Sequence, residues 1–300
     1  MSKARRDRKS RGARTRIGLT GRTARTSRPP GDHPEGRTSG RTSARPRGLL
    51  AVDVGNSDTV VGMFTGPELT GFWRFTSRAA TADEIGLRLE ALGRVHRWPR
   101  ERELGAVLCS VVPALTLPWM GALAKMAGRP PVEVSATTAK NLPIRYRDRS
   151  AVGADRIANA VATRALYGVP AIVVDLGTAT TFDCISRQGA YLGGAIAPGV
   201  ATSAEELFRR AARLPRVELR RPARALGRTT EESLQAGVLW GAAGQVDALV
   251  RRLALEMKGT PAVVATGGLA AIVAPECETI NRVDEALTLK GMRIIWEDAR

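Results

Sequence analysis

Apolar positions in this chain fall into two runs of short segments that follow one order. In the first, the apolar stretch Leu49–Val54 is broken only by Asp53, and Val60–Phe64 reads as its returning strand. Gly55 and Asn56 supply the turn between them. A third short strand is expected around Gly71–Phe75, and Ile85, Leu89 and Leu92 recur at helical spacing within residues 82–93. "GAVLCSVVP" predicts an apolar strand ending at a proline, "LPWMGALAKMAG" a short helix and "PVEVS" another strand.

The second run repeats the beginning. A strand over Ala171–Asp175 meets a glycine turn, a more polar strand covers Thr180–Ile185, and the glycine-rich "AYLGGAIAPG" implies close packing. Helical patterns follow in "TSAEELFRRAARL" and "TTEESLQAGVLWGAAGQVDALVRRLAL". The strand in "PAVVATGG" precedes a short helical segment from Leu269. A helix over Ser150–Tyr167 joins the two runs. Two hairpin-led units of this kind predict an α/β fold made by duplication, with an active cleft between the halves.

Composition changes this picture mainly at one end. The 300 residues, 43% hydrophobic but only 4% aromatic, can bury a large aliphatic core. The formal charge of +17 is unevenly placed: residues 1–48 hold 15 Lys and Arg against three Asp and Glu, whereas residues 49–300 hold 31 against 26. This Arg, Gly, Ser and Thr-rich segment has too few large apolar residues to offset the entropy of ordering it, so a disordered basic tail is expected. Its charge raises a nucleic-acid contact, which nothing else in the sequence supports. No apolar run is long enough to cross a bilayer and no secretory signal is visible, so a soluble cytoplasmic protein is expected.

Three cysteines, Cys109, Cys184 and Cys277, stand far apart in apolar surroundings and read as reduced packing residues. The two histidines, His33 and His96, provide neither a zinc-site spacing nor a nucleophile system. Neither hairpin carries the glycine spacing of a dinucleotide fold or the lysine-bearing phosphate loop.

What remains is a repeated arrangement of strand, Asp, turn and hydroxyl. Asp53 at the end of an apolar strand needs a cation, backbone donors or solvent. It can accept from the turn amides of Gly55 to Ser57, or serve hydrated magnesium beside phosphates. Asp175, next to "GTATT", poses the same question in the second half. Between them "VGADRIANA" opens the linking helix. Asp155 and Arg156 there are either ordinary residues of a helix start, or a carboxylate that orients a substrate hydroxyl for attack on phosphorus and a cation that meets an anionic group. "ATGGLA" is a tight turn that could also let a nucleoside lie against the backbone.

The segments "DVGNSDTVVG", "SVVP", "VGADRIANA", "VDLGTATTFD", "YLGGAIAPG", "TTEESLQAG" and "ATGGLA", in this order over nearly all of residues 49–300, resemble the type III pantothenate kinases, members of the acetate and sugar kinase, Hsp70 and actin superfamily. That resemblance implies two ribonuclease H-like (actin-like) domains, 49–167 with the linking helix and 168–300, with the basic tail over 1–48. It implies ATP-dependent phosphorylation of pantothenate to 4'-phosphopantothenate, the first step toward coenzyme A, in a homodimer. Carried onto matching positions, Asp53, Val54, Gly55, Asn56, Ser57, Asp58, Thr59 and Val60 form the first ATP phosphate loop, with Asp53 serving the magnesium-nucleotide. Gly153, Ala154, Asp155 and Arg156 form the substrate loop, with Asp155 as proton acceptor. Tyr146 and Thr230 are substrate contacts, Thr178 an ATP contact, and Asp175 the ligand of a monovalent cation, potassium or ammonium. Ser57 stands where the family commonly has threonine, and "RYRDRSAVGADR" lacks the proline often found after the tyrosine. The rivals are another kinase of the superfamily acting on a sugar or small acid, and an ATP-binding regulatory protein.

Overall fold

Strand alternation decides which side chains of this protein face each other. The computed structural model describes residues 48–99 and 103–300. The expectation of a disordered tail falls on residues outside this set, except that Gly48 already begins the first strand.

The first sheet has the order β3-β2-β1-β4-β5, from β1 (Gly48–Val54), β2 (Asp58–Thr65), β3 (Glu68–Thr76), β4 (Leu104–Ser110) and β5 (Val132–Glu133). The second is built from β6 (Ala171–Leu176), β7 (Ala179–Ile185), β8 (Tyr191–Pro198), β9 (Ala262–Thr266) and β10 (Arg282–Val283). Read as β8-β7-β6-β9-β10, it repeats the first. β1 runs antiparallel to β2 and parallel to β4, and β6 does the same with β7 and β9. Topology and strand direction therefore duplicate together, the ribonuclease H-like (actin-like) arrangement. β8 is a full strand despite the two glycines of "AYLGGAIAPG": a Cβ on Gly194 would lie 1.6 Å from the Phe182 carbonyl oxygen, so the glycine lets the strands approach.

The helices are α1 (Ala82–His96), α2 (Pro113–Ala127), α3 (Ala154–Leu166), α4 (Val200–Arg210), α5 (Thr230–Glu256), α6 (Ala270–Val273) and α7 (Leu287–Asp298). α1 starts in a capping box, Thr81 Oγ1 accepting from the Glu84 amide while the Glu84 carboxylate accepts from that of Thr81. α2 begins at Pro113, four residues earlier than its hydrophobic pattern predicts, because proline fits the first turn of a helix. The helix expected from Ser150 starts at Ala154. Residues 149–151 form a separate 3-10 turn capped by Asp148, and Gly153 has extended dihedrals (φ −55°, ψ 141°).

α7 lies beyond every element expected from the sequence. Its Leu287, Leu289, Met292 and Ile295 are buried with Ile157, Ala158 and Ala160 of α3, Leu49 and Ala51 of β1, and Ala171 and Val173 of β6. The inner faces of the two sheets thus meet over α3 and α7. On the outer faces, Leu50, Val52 and Val54 pack with α1 and α2, and Ile172, Val174 and Leu176 with α4, α5 and α6. Period-two alternation puts Asp53 on the face of Leu49 and Ala51, and Asp175 on that of Ala171 and Val173. Both carboxylates belong to the inner faces, on either side of α3. Among the described residues no helix is long and apolar enough to cross a membrane.

Candidate active site

The two turns that follow the inward aspartates touch. Ser57 Oγ and Thr178 Oγ1, 121 positions apart, share a hydrogen bond of 2.8 Å. Each turn is braced from behind. Gly55 N donates to Asp58 O at 3.0 Å, and Ser77 both donates its hydroxyl to Gly55 O at 2.6 Å and its amide to Ser57 O at 2.8 Å. On the other side, Gly199 N and the Thr202 hydroxyl donate to Thr178 O at 3.2 and 2.8 Å. The side chains of Asn56, Ser57 and Thr178 are left exposed, Thr59 is buried against Ser77, and Asp58 pairs with Arg74 at the surface at 3.2 Å.

Asp53 stands next to last in β1, opposite Val60 and Cys109. Its Oδ1 is buried without a hydrogen-bond partner. Burial, together with the Asp155 and Asp175 carboxylates, pushes its pKa up to about 7, against the opposing influence of the Cys109 thiol. Asp175 is also raised to about 7, by burial and then by Asp155, although Asn159 Nδ2 donates to its Oδ2 at 3.0 Å. Asn159 in turn accepts from Thr288 of α7 at 2.8 Å. Gly267, in the "ATGGLA" turn, has φ +94°, and a Cβ there would come within 2.5 Å of Asp175 Oδ1. Only glycine permits this turn to close over the carboxylate.

Asp155 occupies the first turn of α3, where its Oδ1 accepts from the Arg156 amide at 2.8 Å and satisfies a helix-start donor. Burial raises its pKa, opposed by that amide and the Arg156 charge. A Cβ on Gly153 would sit 2.5 Å from Asp155 Oδ1, so the glycine leaves room for the carboxylate to fold back over the helix end. Ala154 is the first helical residue. The Arg156 guanidinium turns into the protein and pairs through Nε with Asp183 Oδ1 at 2.7 Å. Tyr146 is 40% exposed, its ring against Gly193 and its centroid 6.3 Å from that of Tyr191.

The Asp155 carboxylate helps raise the pKa values of Asp53, Asp175 and Asp183, and one guanidinium faces these four carboxylates, so the cleft is rich in acidic groups. Such a site favours cations. Among the described residues no three His, Cys, Asp or Glu side chains converge closely enough to hold a metal ion by themselves. A divalent ion here would need phosphate or water oxygens to complete its shell. The orphaned Asp53 Oδ1, the exposed hydroxyls and the glycine turn at Gly267 fit a magnesium-nucleotide.

The structure therefore brings together Asp53, the 55–58 turn, Asp155, Asp175 and Thr178, with Tyr146 and Arg156 joined to them through Tyr191 and Asp183. Thr230, exposed in the first turn of α5, is not joined to this network; its neighbour Thr229 caps that helix. A groove of about 290 Å³ opens beside Asn56, Ser77 and Leu115. A larger one of about 460 Å³ lies between α4 and α5, lined by Leu207, Leu234 and Gly241 and by none of the carboxylates. Sequence reasoning missed Asn159, Asp183 and Tyr191. Asn159 was readable one helical turn after Asp155, and Asp183 as a charge within "TTFDCI"; Tyr191 carries no such signal.

Known proteins resemble this chain in sequence and in fold. A family model described as type III pantothenate kinase matches residues 49–252. The type III pantothenate kinase of Moorella thermoacetica is 50% identical over 250 residues, covering 83% of this chain and 98% of the relative. That of Geobacter sulfurreducens is 44% identical over 257 residues, 84% and 99% of the two chains. Among solved structures, a conserved Baf family protein of Campylobacter jejuni, described as a transcriptional activator, superposes with TM-score 0.52 at 20% identity, covering 83% of this chain and 98% of that one. The activator of 2-hydroxyisocaproyl-CoA dehydratase from Clostridium difficile gives 0.51 at 13% identity, over 84% and 95%. These two likenesses concern the fold alone.

Proposed function

The chain belongs to the type III pantothenate kinase family, and from that premise we propose that it transfers the terminal phosphoryl group of ATP to the primary hydroxyl of pantothenate, giving 4'-phosphopantothenate, the first step toward coenzyme A. The observation that carries the reading is the position of Asp155 at the start of α3, with its carboxylate coupled electrostatically to both strand-end aspartates.

In this mechanism residues Asp53 to Val60 and Thr178 cradle the ATP phosphates from opposite walls. The Arg156 amide fixes Asp155 Oδ1, so the other oxygen accepts the hydrogen bond of the pantothenate hydroxyl and takes its proton as attack proceeds. The raised pKa makes Asp155 a stronger base than an ordinary surface aspartate. When bound, magnesium and a monovalent cation offset the charge that develops on the phosphoryl oxygens. Asp53 is the residue for the magnesium-nucleotide and Asp175 the residue for potassium or ammonium. Tyr146, Gly153, Ala154 and Arg156 line the pantothenate side. Arg156 acts there through its fixed charge and its Nη1, since its Nε is committed to Asp183 and its Nη2 to the Phe182 carbonyl oxygen.

Residues 49–167 and 168–300 are read as two halves that close over the substrates and limit wasteful hydrolysis. Thr230 is read as reaching the pantothenate pocket at a homodimer contact, which a light-scattering mass would test. We place the enzyme in the cytoplasm, where the free cysteines Cys109, Cys184 and Cys277 stay reduced. A coupled assay with pantothenate, ATP and magnesium should show pantothenate-dependent ADP release, faster with potassium than with sodium. Transfer to a hexose but not to pantothenate would overturn the reading; a rate indifferent to potassium would remove the role of Asp175 alone.

A further inference from the structure

Beneath the pantothenate side of the cleft lies a buried carboxylate to which the mechanism assigns no step. Asp183 of β7 has no exposed surface, and its Oδ1 accepts from both Arg156 Nε at 2.7 Å and the Tyr191 hydroxyl at 2.8 Å. Arg156 Nη2 reaches the adjacent Phe182 carbonyl at 3.4 Å, and the guanidinium carbon lies 5.9 Å from the centroid of the Tyr191 ring. Asp183 Oδ2 is buried without a partner.

An arrangement of this kind is a poor way to gain stability. Both ions lose their hydration, and the attraction between them commonly repays little more than that loss. An apolar pair would fill the same space at no such cost. Both partners of Asp183, however, lead directly to the site. Arg156 is the neighbour of Asp155 in the chain, and its amide holds the Asp155 carboxylate at 2.8 Å. Tyr191 stands beside Tyr146, whose ring rests on Gly193 two residues further along β8.

We propose that Asp183 is a positioning residue for phosphoryl transfer: by anchoring the Arg156 guanidinium and the Tyr191 hydroxyl to β7, it fixes the first turn of α3 and with it the Asp155 carboxylate. The proposal rests on the reading of Asp155 as the base. Asp183 touches neither substrate in this scheme. It acts through Arg156, whose side chain it holds from inside the second sheet while the amide of the same residue holds the base. A strand in the middle of a sheet is a stiffer support for this purpose than the loop that precedes α3. Since a displacement of about 1 Å in a reacting group is enough to cost about 100-fold in rate, loss of the anchor is felt in turnover before it is felt in nucleotide binding.

The test compares the wild type with Asp183→Asn and Tyr191→Phe. kcat, the KM for each substrate and the thermal midpoint are measured on the full chain, with rates normalised to the folded fraction. Asp183→Asn should lower kcat about 100-fold, raise the KM for pantothenate and leave the KM for ATP within about twofold. Tyr191→Phe keeps the ring and removes one hydrogen bond to the charged group, so kcat should fall about tenfold with the same pattern. A lowered midpoint with wild-type kcat in both variants would show a role in stability only and overturn the proposal. If Asp183→Asn does not fold, Tyr191→Phe decides by the same criterion. An inactive wild type would overturn the reading of the reaction, and this proposal with it; an active wild type with unaffected variants overturns the proposal alone.

Discussion

Gly291 in the middle of α7 should reject even a methyl group, against its own helix propensity. Replacing glycine by alanine in a helix interior is ordinarily worth about 1 kcal/mol of stability. Here the new Cβ would lie 1.9 Å from the Ala158 carbonyl oxygen and 2.6 Å from its carbon, both backbone atoms of α3. Ordinary C···O contacts lie at about 3.3 Å or beyond, so the two helices must separate by about 1 Å or more. Overpacking of this kind costs about 1–3 kcal/mol. The shift also loosens the buried Leu287, Leu289, Met292 and Ile295 together, which places the cost at the upper end. We expect Gly291→Ala to be about 1–2 kcal/mol less stable than the wild type, a fall of about 2–8 °C in Tm for a chain of this size. Gly86→Ala in α1 is the control: nothing lies within 4 Å of its Cβ, so it should gain about 1 kcal/mol. Urea midpoints and thermal scans of both variants measure the difference. Because Thr288 of α7 holds Asn159, and Asn159 holds Asp175, Gly291→Ala should also lose turnover per folded molecule. Equal stabilisation by the two substitutions would refute the close approach of α7 to α3 and the argument built on it.

Asp155→Asn should reduce kcat by about 100-fold or more while ATP still protects the fold, and wild-type turnover in that variant would remove the base assignment. The same group sets a pH dependence. A base works deprotonated, and burial raises the Asp155 pKa, so kcat/KM should fall on acidification at a pH above the usual carboxylate range; a profile flat down to that range would contradict it. Asp247 of α5 runs the other way. Burial pushes it up, but the Glu278 amide at 2.9 Å and the Thr279 amide and hydroxyl at 2.9 and 2.7 Å outweigh this and hold its pKa low. Its stabilisation is present above the unfolded carboxylate pKa and is lost as pH falls through the lower folded one. Asp247→Ala should cost about 1–3 kcal/mol near neutral pH, read from urea midpoints, and a shift below the scatter of replicates would count against it.

Much of the site was legible because it rests on local periodicities. Alternation along Leu49–Val54 and Ala171–Leu176 is enough to place Asp53 and Asp175 on equivalent faces of two equivalent strands. The turn after each strand follows from its glycine, and helical spacing puts Asn159 one turn from Asp155. The repeat was likewise readable as the order of elements along the chain. α7 shows where such reasoning stops. The apolar spacing of its "LTLKGMRIIWED" is helical, yet nothing in it tells that the helix is the layer between two sheets whose first strands begin more than a hundred residues earlier.

Sequence by itself determined the duplicated elements, the residue types at the cleft and the side of each strand on which they lie, since these depend on repeats of two and of about 3.6 residues within one segment. Tertiary structure alone decided the partners: Ser57 with Thr178, Arg156 with Asp183 and Tyr191, Gly291 against Ala158. It was also the fold that turned Arg156 away from solvent and left Asp53 Oδ1 buried and unpaired. A local pattern specifies which way a side chain points from its own backbone. What it meets there depends on how distant segments pack, because burial and the nearness of other charges exist only once the sheets have closed around α3 and α7.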